Sequence, residues 1–159
     1  MSPVNRTDDC FSINNYLHPV RLILLWLQAH YDIINSDVNA NNIRNEGNMK
    51  RTFVETPIFS KRWSELGLTD DDLLVLQTFI LRNPSAGDVI QGTGGLTKLR
   101  FAIPDKGKSG GVRALYVDFI QQKKTIMVNC YSKSEKDNIS DKEKAIYKKL
   151  IKAIKEELR

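Results

Sequence analysis

From Thr97 to Ile103 apolar and polar residues alternate strictly, with Leu99, Phe101 and Ile103 on one parity and Lys98, Arg100 and Ala102 on the other. A repeat of two matches an extended chain, whose successive side chains point to opposite faces. Two more strand-like runs follow at once, Gly111–Ile120 and Thr125–Tyr131. The loop 104–111 (PDKGKSGG) and the turn Gln121-Gln122-Lys123 are too short for a parallel crossover, so the three runs predict an antiparallel meander.

The flanking segments must cover that sheet. Arg51–Glu55 (RTFVE) predicts a further strand. Pro57–Leu66 predicts a helix, with Thr56 as cap, Pro57 at the first position and Gly67 closing it. A second helix opens at Thr69, where Asp70, Asp71 and Asp72 suit the positive end of the helix dipole. Its stripe of Leu73, Leu76, Phe79 and Ile80 is assigned to the core, and Asn83-Pro84 ends it. Ser85–Gly95 reads as a connection; its GTGG (92–95) fits no phosphate-loop motif and is assigned to turn geometry. Ser140 and Glu143 form a capping box for a last helix reaching Leu158, with Ile146, Leu150, Ile151, Ile154 and Leu158 as its apolar stripe. The expected fold class is α+β: a small antiparallel sheet packed with two N-terminal helices and a C-terminal helix.

Residues 1–48 differ in character. Leu17–Ile34 predicts an isolated amphipathic helix after Pro19, and Ser36–Asn48 is polar and rich in asparagine. They are expected to form an N-terminal extension ahead of one domain at 49–159. Two readings stay open: a poorly ordered appendage, or a stretch preceding a true start at Met49. Glu46-Gly47 must be encoded by a purine run resembling a ribosome-binding site, just before the Met49 codon. The longest apolar run, Leu22–Leu27, is far short of the roughly 20 residues that span a membrane, so a cytoplasmic protein is expected. Cys10 and Cys130 form no CxxC pair, and both histidines, His18 and His30, precede residue 49. Neither a disulfide framework nor a metal site is expected, and no cofactor.

The net charge of +5 is unevenly placed. Residues 1–48 hold three basic and five acidic side chains; of the 24 basic and 19 acidic residues in all, 21 and 14 therefore lie beyond residue 48, a net of +7. Such a domain favours a polyanionic partner. Lys98 and Arg100 share a strand face, Arg113 opens the next strand, and Tyr131 and Lys133 end the last. Lys106 and Lys108 lie in the intervening loop, and Lys136 follows Lys133. Cleavage of RNA by its own 2′-hydroxyl needs a base, cations for the phosphorane and an acid for the leaving oxygen. Clustered lysine and arginine suffice chemically: a lysine among cations can act as base, and arginine holds phosphate by two hydrogen bonds. Lys98 beside Arg100 is the candidate base, Arg113 the phosphate ligand, and Lys133, at the other end of the sheet, the acid. Polar strand faces also carry Lys and Arg simply for solubility, and from composition alone that is the commoner case. Arg113 shares the apolar parity of Leu115, Val117 and Phe119, so it belongs at the core's edge or in a pair. Tyr131 can stack on a base or be an ordinary strand tyrosine. The lysines of the last helix read as a solvated face.

Four blocks carry a family resemblance: FVETPIF (53–59), NPSAGDVIQGTGGLTKLRFA (83–102), GKSGGVRALYV (107–117) and YSKSEKDNIS (131–140). With them residues 51–158, about two-thirds of the chain, resemble the HigB-type branch of the RelE/ParE toxin superfamily. The resemblance implies a toxin of a type II toxin–antitoxin system: a ribosome-dependent, metal-independent endoribonuclease that cuts mRNA in the ribosomal A site. It implies a cognate antitoxin bearing a helix-turn-helix domain. By position, the family's catalytic basic residues fall on Lys98, Arg100, Arg113 and Lys133. The match departs from RelE proper at Ser134, where an arginine is expected, and lacks a tyrosine from there until Tyr147. That departure implies a slower cut or a different acid. Two alternatives remain: a ParE-like inhibitor of DNA gyrase, which needs no catalytic cluster, and a non-catalytic RNA-binding module.

Overall fold

The structure, a computed structural model, describes residues 51–104, 111–136 and 138–158; residues 1–48, Lys106 and Lys108 lie outside the described residues. The elements are β1 (Thr52–Glu55), α1 (Pro57–Glu65), α2 (Asp70–Arg82), β2 (Asp88–Val89), β3 (Thr97–Ala102), β4 (Gly111–Phe119), β5 (Lys124–Ser132) and α3 (Asp141–Glu157). The strands form one sheet in the order β1-β5-β4-β3-β2, giving the expected α+β architecture.

Local chemistry sets the helix starts. The Thr56 hydroxyl accepts the Phe59 N–H ahead of Pro57, and capping boxes join Thr69 to Asp72 and Ser140 to Glu143. The central meander β3-β4-β5 is antiparallel, as the short turns predict. The sheet as a whole is not. β1 runs parallel to β5, with Thr52 opposite Lys124 and Glu55 opposite Met127. An edge strand that pairs across some seventy residues has no turn through which its direction can be read from sequence. Backbone bonds from Thr52 N–H to Lys123 and from Thr56 N–H to Met127 fix that edge, and Arg51 pairs with Asp118 at 2.5 Å. At the opposite edge the connection 85–95 contributes the two-residue strand β2 against Thr97 and Lys98. The glycines of GTGG adopt φ of +81° to +117°, conformations that side chains beyond glycine resist.

Each face of the sheet has its own core. Phe59 and Trp63 of α1 and Leu73, Leu76 and Ile80 of α2 pack on Leu99, Phe101, Val112, Ala114, Tyr116, Met127 and Cys130. Leu150, Ile151 and Ile154 of α3 pack on Leu96, Leu115, Val117, Ile126 and Val128. Phe79, assigned to the core from its spacing, is 37% exposed and only tilts against Phe101. It shares a partly exposed apolar strip of α2 with Leu74 and Val75.

Candidate functional site

Strand alternation delivers the basic residues to one face. Leu99 and Phe101 belong to the core under α1 and α2, so Lys98 and Arg100 between them project toward the α3 side. Arg113 shares parity with Leu115 and Val117, which pack on α3, and lies on that side too. The register completes the set: Arg100 stands opposite Arg113, and Arg113 opposite Tyr131, in one rung across β3, β4 and β5. The next rung is Lys98, Leu115 and Asn129.

Tyr131 reaches this face through an irregularity. Leu115 pairs with Asn129 but Tyr116 pairs with Met127, so β5 has one residue more than β4 there. Met127 consequently faces α1 and α2 while Tyr131, four residues on, faces α3. A bulge re-aims side chains in this way. Tyr131 is 2% exposed and packed in the α3-side core, with the Lys136 amine 4.9 Å from its ring centroid. Its ring therefore offers no open face to a base, and the ordinary strand-tyrosine reading applies to its packing.

The α3 contacts centre on Leu150, Ile151 and Ile154, and the end of the sheet carrying Arg100 and Arg113 opens into a groove of about 690 Å³. Arg100, Phe101, Ala102, Gly111, Val112, Arg113, Lys133 and Ser134 line it. Arg113 is 8% exposed and Lys98 9%, whereas Arg100 and Lys133 are exposed. Lys133 thus joins the Arg100–Arg113 end, away from the Lys98 rung as expected, because β5 returns antiparallel beside the start of β4. Arg100 approaches Asp88 of β2 at 3.9 Å with both side chains well exposed, a pair of little energetic weight.

The segment after β5 is held at several points. Glu135 accepts from Arg62 of α1 and from the Ser132 N–H. Lys136 pairs with Glu143 of α3, and Lys98 Nζ donates to Asn138 Oδ1 at 3.0 Å. Partial burial raises the Glu135 carboxyl, but the Ser132 N–H and Arg62 outweigh it and leave it below the ordinary value. Burial likewise raises Glu143, and bonds from Lys136 and from the Ser140 N–H and hydroxyl bring it below. Sequence reasoning did not single out Asn138, Glu135 or Arg62. Their contacts join residues 40 and 73 positions apart, and no local pattern marks such pairs.

Ser134, where the family pattern expects arginine, lines the groove, and its hydroxyl lies 2.9 Å from that of Ser132. Tyr147 does not line the groove; its hydroxyl accepts from Asn129 Nδ2 at 3.0 Å. Among the described residues no group of three or more His, Cys, Asp or Glu side chains could hold a metal ion, and no helix is long and apolar enough to cross a membrane. The groove can grip a phosphate between two guanidinium groups, with an amine at its rim and another one rung away.

Residues 51–158 match the family model described as the RelE toxin of the RelE/RelB toxin–antitoxin system.

Proposed function

Because the chain belongs to the RelE toxin family, and so is a toxin of a toxin–antitoxin system, we propose that it is a cytoplasmic, ribosome-dependent endoribonuclease of the HigB-type branch, cutting mRNA in the A site. The observation that carries this reading is the cross-strand Arg100–Arg113 pair at the groove shared with Lys133. Two guanidinium groups lining one groove suit an anion held between them. The blocks at 83–102 and 107–117 support the HigB-type assignment.

In this mechanism Arg113 and Arg100 hold the scissile phosphate, Arg113 by its planar fork. Lys98 takes the proton from the 2′-hydroxyl, and the 2′ oxygen forms a bond to phosphorus. The bond from phosphorus to the 5′ oxygen breaks, and Lys133 protonates that leaving oxygen. The products are a 2′,3′-cyclic phosphate and a free 5′-hydroxyl. The guanidinium groups stabilise the charge that develops on the phosphorane, so the reaction needs no metal. The partner that silences it is an antitoxin with a helix-turn-helix domain, which covers the basic face or pairs with a sheet edge.

Induction of the chain in cells tests the reading. Protein synthesis should stop within minutes while DNA stays intact. Arrest of replication with DNA breaks and continuing translation would instead place the chain in the gyrase-inhibiting branch.

A further inference from the structure

We infer that Asn138 is a positioning residue that fixes the direction of the Lys98 amine, one rung from the groove; the inference rests on the reading of Lys98 as base. Lys98 is almost wholly buried on β3, and its Nζ donates to Asn138 Oδ1 at 3.0 Å. Asn138 itself is exposed, but Glu135, Lys136 and Ile139 near it are held. Ile139 is 7% exposed within the α3-side core, and Lys136 is paired with Glu143, which also caps α3 through Ser140. Glu135 is clasped by Arg62 of α1. The amide oxygen is thus presented from a segment fixed by two helices to an amine on the central sheet.

The choice of an amide has a chemical consequence. A neutral amine that donates one N–H to Asn138 keeps its lone pair free for a substrate proton. An amide oxygen orients the nitrogen without adding negative charge. A carboxylate in the same place would favour the ammonium form, which has no lone pair to give. Asparagine therefore fixes direction without adding a charge that would hold the proton.

The test compares the full chain with N138A and N138D on message bound to programmed ribosomes, in single turnover from about pH 6 to pH 9. Because Asn138 is exposed, both variants should melt close to the wild type. N138A should lose about ten- to a hundred-fold in maximal rate with little change in half-saturating toxin concentration, since a misdirected group costs rate rather than binding. N138D keeps an acceptor oxygen, so its rate should recover at high pH. The rising limb of its profile should sit about one pH unit to the alkaline side. Profiles of N138A and N138D that superimpose on a cleaving wild type overturn the positioning role and leave the endonuclease reading intact. A wild type that makes no cut overturns both.

Discussion

Arg113 has two jobs open to it on the same strand. Its parity places it with the core residues Leu115 and Val117, yet it lines the groove opposite Arg100. On the proposed reading its near-complete burial would make it effective, since a guanidinium shielded from water acts on a phosphate in a medium that screens poorly. Arg113→Ala and Lys98→Ala should each reduce cleavage by about 10²–10³, while melting temperature and antitoxin binding persist. Lys152→Ala, on the exposed side of α3 beside Glu156, should be nearly silent. Toxicity assays with melting curves decide the matter. Equal losses in all three variants would reduce the basic residues to an attracting surface. Unfolding of Arg113→Ala would show that its place on the apolar parity is structural.

At the level of elements, the segment between β5 and α3 is the most conditional part of the site, since Glu135 and Glu143 tether it as carboxylates. Both groups lie below their ordinary value of 4.5 in the folded chain. A depressed carboxylate contributes stability above its unfolded value, and that contribution fades as pH falls through the folded value. Acidification below about pH 4.5 should therefore loosen residues 133–140 before the sheet melts. Amide exchange on fragments from that segment checks it; uniform protection down to global unfolding would contradict it. The strands β3, β4 and β5 and the helices α1, α2 and α3 are legible in the sequence because period, caps and turns are local signals. The parallel pairing of β1, the two-residue β2 and the bulge that turns Tyr131 toward α3 were not, since each depends on a partner far along the chain. The basic residues of the site were legible by type and strand position. The rung joining Arg100 to Arg113, and the hold of Asn138 on Lys98, required the register.

On the scale of the whole molecule, charge should steer association with both proposed partners. The net of +7 beyond residue 48 should draw the domain toward ribosomal RNA and toward an acidic face of its antitoxin. Association with the antitoxin should slow as ionic strength rises from low to physiological, because exposed charges are screened over about 10 Å at 0.1 M salt. Stopped-flow rates independent of salt would mean that the antitoxin docks without using the basic face. On the proposed reading the cationic groove itself performs the cut. Its most direct measurement is the chemistry of the ends made when purified chain meets an mRNA programmed on intact ribosomes, with and without a chelator. One cut in the A-site codon is expected, leaving a 2′,3′-cyclic phosphate and a 5′-hydroxyl, undiminished by chelation while the ribosomes stay whole. A 5′-phosphate end, a loss of cutting on chelation with ribosomes intact, or cutting of free RNA at the same rate would contradict it.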